Sequence, residues 1–445
     1  MSVIRRGDTP RRGAWLAAAQ QHPLFVSLWC ACAGIGAYSA MYLFRKPFTA
    51  ALFVDAPFTP GMKSWLVTAQ VAGYMTAKFV GIRVVSAMPL PRRTGAMLAL
   101  LSCAELSLVL FGVGPTPVRL FALFLNGLAL GMLYSMVVGF LEGRRMTEAF
   151  VSGLVASFIV ADGVAKSVGI WVLAHAVSDR WMPAVAGLFG IPPVLLCLWM
   201  LHRVPAPAPA DIAARAERVP MSRADRRHTF RAHAIGLICL MVAFLLVTVL
   251  RSLRADFAPE LWAALGASGN AALYTRSELW VAGGVLLVNG LLVTIQDNRR
   301  AFFVSLGSAM LGIVLVAAAL LAQQAHRLEP FPFLVLMGLG LYLPYAAVHT
   351  TLFERLLATT RDRANLGWLM SIADAFGYLG YVAVMLLKSF VPSLPILAVF
   401  TVTAWTVVVG AGAALATTGV FFLRRWRAHG APAPERLSSW AHEQA

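Results

Sequence analysis

Hydrophobic positions in this chain do not alternate with polar ones; they run in long blocks. Twelve apolar stretches occur, at roughly 23–54, 62–86, 95–113, 117–141, 148–176, 182–201, 233–257, 276–296, 301–322, 331–354, 364–389 and 394–423. Each is long enough to cross a hydrocarbon layer about 30 Å thick as a helix. The two-residue alternation of barrel strands is missing. The pattern therefore predicts an all-α membrane protein of twelve transmembrane helices in two pseudo-symmetric six-helix bundles. It divides into an N-terminal tail (1–22), a first bundle (23–202), a linker (203–232), a second bundle (233–423) and a C-terminal tail (424–445).

Polar residues inside these stretches fall on helical faces. The first stretch carries Tyr38, Tyr42, Arg45 and Thr49 at steps of four, three and four, which predicts one shared face. The second carries Gln70, Tyr74 and Lys78; the tenth Tyr342, Tyr345 and His349; the eleventh Ser371, Asp374, Tyr378 and Tyr381. In the seventh, Thr248 lies one turn before Arg251. Isolated tyrosines and hydroxyls in membrane helices are explained by packing and backbone bonding. Four stripes, three centred on ionisable groups, point instead to a shared wet cavity.

Arg45 and Arg251 are the most telling positions, one in each half and 206 residues apart. A cation at bilayer depth costs roughly 2.5–3.5 kcal/mol on insertion scales, so it faces a cavity or pathway. Arg45 and Lys46 could instead end the first helix outside the membrane. The apolar run, however, resumes at Pro47–Val54, and Pro47 is expected to kink the helix beside the site.

The second half repeats features of the first. Glu142 and Asp162 are twenty residues apart, as are Glu354 and Asp374, each pair spanning a basic connection. Matching positions in two halves with binding groups between them are transporter architecture. Asp162 and Lys166 stand one turn apart, acid first, the better order for a helical ion pair; they are either a neutralising pair or a coupling site. Glu105, Arg254 and Asp256 read as structural or gating groups.

Composition agrees with a membrane protein: 59% hydrophobic and 13% charged, against about half and a quarter for soluble domains. The net charge of +17 is not a nucleic-acid signature, because the basic clusters fall at both termini and at every second connection. That bias places both termini and the linker in the cytoplasm, in an inner or plasma membrane. The linker is Pro/Ala-rich and then basic, which suits a tether on the membrane surface, with a short amphipathic helix possible near 210–218. Five cysteines sit in apolar segments without metal-ligand spacing, so no metal, cofactor or disulfide framework is expected. The first stretch is too long for a signal-peptide core and lacks a small-residue cleavage site.

Deep charge gives the sign of the ligand. Arg45, Lys78, Lys166 and Arg251 stand against Asp162 and Asp374, an excess of two positive charges. Burying these six groups costs on the order of 15 kcal/mol, partly offset by pairing. The guanidinium fork suits phosphate or carboxylate oxygens, so the expected partner is a small organic anion, phosphorylated.

At these residues the chain resembles the major facilitator superfamily, in particular the organophosphate:phosphate antiporters. Tyr42-Leu-Phe-Arg-Lys-Pro-Phe48 is similar to that family's Tyr-Leu-x-Arg-Lys-x-Phe, and Tyr74-Met-Thr-Ala-Lys-Phe79 to its Tyr-x-x-x-Lys-Phe. Arg251, Asp256 and Pro259 resemble its Arg-x-x-x-x-Asp-x-x-Pro; Phe376-Gly-Tyr-Leu-Gly380 and Tyr342 with Pro344 resemble its motifs in helices 11 and 10. The resemblance implies a phosphate-binding pair at Arg45 and Arg251 and a site lysine at Lys78. The chain departs from the family where Asp162 replaces a helix 5 histidine and where Ser86 stands near a loop acid; Asp297 is retained in the second half. The Arg-Lys-Pro-Phe-Thr-Ala-Ala form is also similar to an uncharacterised branch of the superfamily.

The expected protein is a monomeric secondary transporter, not an enzyme, because no nucleophile–base set or phosphate-cradling glycine loop appears. Arg45, Arg251, Lys78, Tyr38, Tyr42, Tyr74, Tyr342 and Tyr378 are the expected substrate ligands. Asp162, Lys166, Asp374 and His349 are the expected coupling or ion-pair groups. Exchange for phosphate is the leading mode. The alternatives are proton symport and, in another class, a transporter-like sensor of a phosphorylated ligand.

Overall fold

The computed structural model describes residues 23–53, 61–141, 147–205, 223–267, 270–360, 366–390 and 394–428. In the first half, α1 (Pro23–Met41) leads into two short 3₁₀ segments, Tyr42–Phe44 and Pro47–Ala50. Then follow α2 (Met62–Ala87), α3 (Leu90–Val113), α4 (Thr116–Leu130) with its continuation α5 (Leu133–Leu141), α6 (Thr147–Ala174) and α7 (Met182–His202). In the second half come α8 (Arg223–Asp256), the short α9 (Ala258–Ala264), α10 (Ala272–Val293) and α11 (Asn298–Gln324). The chain continues through α12 (Pro330–Ala347), a π-turn (Val348–Leu352), α13 (Phe353–Thr360), α14 (Leu366–Phe390) and α15 (Ile396–Ala428). Counting broken helices as one, these are twelve spans in two bundles of six, as the apolar runs predict.

Among the described residues, ten spans are apolar and long enough to cross a membrane by length and composition. The other two, α2 and α10, are the second helix of each half. They are more polar because both lie between the bundles: α2 packs on α14, and α10 on α6. Lys63 and Gln70 of α2, and Ser277, Glu278 and Asn289 of α10, are buried, and Lys78 of α2 reaches Asp374 of α14.

The first helix is interrupted more fully than the kink expected at Pro47. Its α-helical ladder stops at Met41, and Arg45 and Lys46 sit in a turn between the 3₁₀ segments. Pro47 supplies the reason, since it has no N–H to continue the ladder. The helical spacing Tyr38/Tyr42/Arg45/Thr49 therefore does not define one face. Thr49 is fully buried and bonds back to the Lys46 carbonyl at 2.7 Å, away from the cavity.

Glycine sets the closest approach inside the first bundle. A Cβ at Gly127 of α4 would lie 2.0 Å from the Gln70 carbonyl oxygen of α2, and one at Gly73 would lie 2.0 Å from that of Phe124. The two backbones touch directly, as small residues allow in membrane helices.

The seventh span begins earlier than the pattern suggests. Residues 223–232, expected as linker, are helical, and a kink at His233 separates them from the rest of α8. Asp297 caps α11 by accepting from the Arg300 amide at 2.6 Å. Glu142, the candidate amphipathic stretch at 210–218 and both tails to residues 22 and 429 lie outside the described residues.

Candidate functional site

A cavity of about 720 Å³ lies between the bundles. Tyr38, Tyr42, Arg45, Tyr74, Lys78, Asp162, Arg251, Tyr342, His349, Asp374 and Tyr378 all line it, from both halves. Lys166 alone of the expected set stands behind it, in a smaller cavity of about 290 Å³ reached past Asp162. The side chain of Ser371 lies outside the described residues.

Each arginine rests on two tyrosines. The Arg45 guanidinium lies 4.0 Å from the Tyr74 ring centre and 5.8 Å from that of Tyr42. The Arg251 guanidinium lies 4.4 Å from Tyr345 and 5.6 Å from Tyr342. The ring faces attract the cations without neutralising them. Nε of both arginines is buried with no hydrogen-bond partner, and neither forms a salt bridge among the described residues.

The other lysine and arginine side chains beside the cavity each have a carboxylate among the described residues. Lys78 of α2 is 3.5 Å from Asp374 of α14, whose other oxygen is 3.4 Å from His349 Nε2. The π-turn after α12 carries His349; such turns recur at functional sites. Lys166 bonds to Asp162 one turn away. Lys46 bonds across the bundles to Asp256 and stands 3.8 Å from Asp162. Tyr381 donates to the second Asp256 oxygen at 2.7 Å. Arg254 pairs with Glu278 at 2.8 Å and donates to the Leu334 carbonyl.

Around the cavity six cations (Arg45, Lys46, Lys78, Lys166, Arg251, Arg254) meet four carboxylates (Asp162, Asp256, Glu278, Asp374), an excess of two positive charges. The excess equals the one read from sequence, though the groups differ. Lys46, Asp256 and Glu278 were not among the expected ligands. Glu278 gives no sequence signal beyond being an acid in an apolar run. Tyr134 and Tyr345 also line the cavity, so all the tyrosines but Tyr274 do.

Further bonds join the halves at the end where α1 breaks and α2 begins. Lys63 is 2.6 Å from Glu260 and donates to the Thr49 carbonyl, also at 2.6 Å. Ser167 and Thr275 hydroxyls are 2.7 Å apart, and Trp65 packs edge-on to Phe390. The halves are therefore closed on each other at the end away from the N-terminus of α1.

Two bundles of six helices enclosing a polar cavity define an integral membrane protein of the major facilitator fold. Many solved structures share it, among them two transporters. A D-xylose-proton symporter superposes with a TM-score of 0.60 at 13% identity, over 89% of this chain and 97% of its own. A bacterial homolog of the human lysosomal transporter Spinster, inward-facing and unoccupied, superposes with a TM-score of 0.62 at 14% identity, over 92% of this chain and 99% of its own. Residues 47–425 match DUF5690, a family of unknown function, and the chain belongs to that family. No curated protein sequence matches the chain.

Proposed function

We propose that this protein is a secondary transporter that moves a small phosphorylated organic anion in exchange for phosphate, by rocking its two bundles about the central cavity. The observation that carries this reading is the pair of unneutralised arginines. Arg45 and Arg251 come from different bundles, face one cavity, and each retain an unpartnered buried Nε. A guanidinium so placed has one N–H shielded and unbonded and no carboxylate facing it, and a phosphate or carboxylate group supplies both charge and acceptors. Tyrosine hydroxyls around them offer further donors to anionic oxygens.

A site built from both halves suits alternating access, because each rocking motion re-aims one arginine relative to the other. The fold shared with the two solved transporters supports transport as the activity. The basic clusters at the termini and alternate connections support a cytoplasmic-membrane location with both termini inside. Proton symport is a second reading, favoured by the Asp162 oxygen that lacks a hydrogen-bond donor in an otherwise paired cluster.

The test is flux in proteoliposomes of purified protein. Vesicles loaded with unlabelled phosphate should accumulate labelled phosphate by counterflow, and organophosphates outside should compete. Binding without turnover would assign a sensor instead. Uptake that needs an imposed proton gradient and no internal phosphate would assign symport.

A further inference from the structure

The two arginines reach the cavity from unlike backbones. Arg251 stands on α8, whose own ladder fixes its Cα. Arg45 stands where that ladder has lapsed. The Arg45 and Lys46 amides both bond to the Tyr42 carbonyl, at 3.1 and 2.9 Å, and Pro47 has no N–H to give. A turn of this kind does not by itself hold a side chain in one place.

Two buried amides supply what the backbone lacks. Gln70 Nε2 donates to the Arg45 carbonyl at 2.9 Å and to Asn126 Oδ1 at 2.8 Å. Asn126 Nδ2 donates to the Phe44 carbonyl at 3.1 Å and to the Ala104 carbonyl of α3 at 3.2 Å. Both hydrogens of each amide group are used, and the Asn126 oxygen is used as well. Flipping Asn126 would set oxygen against oxygen, so the network fixes its own orientation. Gln70 is 3% exposed and Asn126 fully buried, so water cannot substitute for either. The backbone contact of α2 with α4 at Gly73 and Gly127 brings the two amides together.

We infer that Gln70 and Asn126 are positioning residues for Arg45: a paired-amide clamp that fixes the arginine's peptide so that its guanidinium meets the ligand. Tyr74 completes the hold. It lies one helical turn from Gln70, so α2 grips Arg45 at the carbonyl through Gln70 and at the guanidinium through the Tyr74 ring. Neither amide lines the cavity, so the clamp acts through Arg45 and not on the anion. The inference rests on the reading that Arg45 holds the anion.

The experiment measures inorganic phosphate binding by calorimetry on purified full-length protein, with Tm alongside and KM from counterflow. Gln70→Leu should raise Kd and KM about tenfold or more, the scale of one lost charge-assisted bond. The increase in Kd, read by calorimetry alone, should vanish in an Arg45→Lys background and persist in an Arg251→Lys background. Where the single variant fails to fold, Gln70→Leu with Asn126→Leu removes the pair without leaving an amide half-bonded, and the same increase is expected. A lowered Tm with unchanged Kd, or an equal loss in the Arg45→Lys background, overturns the clamp. Unchanged phosphate affinity in Arg45→Lys itself overturns the anion site, which separates the two failures.

Discussion

Lys46 and Asp256, 210 positions apart, meet across the bundle interface, and the Tyr381 hydroxyl holds the second oxygen of that carboxylate. Lys46 also has Asp162 of its own bundle within 3.8 Å. Under the rocking motion proposed above, Asp256 would leave with the second bundle while Asp162 would stay. The lysine would then keep a counter-ion in either arrangement.

Removing one member of this pair should be far worse than removing both. Lys46→Met leaves Asp256 buried and charged, and breaking a buried pair costs about 3–5 kcal/mol. A sharp fall in Tm and in expression is expected. Lys46→Met with Asp256→Asn should recover most of both, and a double-mutant cycle on Tm measures the coupling. Additive losses would show that the bond contributes nothing.

The arginines should tolerate no exchange for lysine. Arg45→Lys or Arg251→Lys keeps the charge and loses the planar fork, so uptake should be abolished while membrane insertion persists. Transport at wild-type rate in both variants, measured per folded protein by fluorescence-detected chromatography, would remove them from the site.

Asp162 is expected to act as a counter-ion first. It serves both Lys166 and Lys46, so Asp162→Asn should lower expression, and adding Lys166→Met should restore it. The restored double variant then reports on coupling. Retained counterflow with lost ligand-driven proton movement would assign Asp162 to proton coupling; unchanged proton movement would remove Asp162 from coupling and leave Asp374 or exchange for phosphate as the candidates.

Orientation is checked by a cysteine introduced at Ser222 in a background without the five native cysteines. An impermeant maleimide should label it in inverted vesicles and not in intact cells. Labelling from outside would reverse the topology drawn from the basic clusters.

Helix contact gives the last prediction. Gly73→Ala places a methyl carbon against the Phe124 carbonyl and should cost about 1–3 kcal/mol, read as a fall in Tm. Gly283→Ala on α10 meets nothing within 4 Å and should leave Tm unchanged or slightly raised.

The spans were legible because a bilayer demands long apolar runs, and the arginines because a charge inside such a run needs a reason. Pro47 announced the break in the first helix, though not that Arg45 would leave the helical face. The pairing was not legible. Lys46 with Asp256, and Arg254 with Glu278, join residues on different helices, and no local spacing marks a partner that only the packing of helices supplies. The polar load of α2 and α10 had the same cause: a hydropathy scale reads it as weakness, whereas it records the interface between the halves.

The tyrosine faces beneath Arg45 and Arg251 carry a kinetic consequence for the exchange proposed above. A ring offers about 2 kcal/mol to a desolvated cation, less than an ion pair provides. In such an exchanger a bound anion would match both guanidiniums, whereas the empty protein would pass through its closed state with only the rings to hold them. The empty return would then face the higher barrier, and that difference alone would incline the cycle towards one-for-one swapping, with no dedicated lock to forbid it.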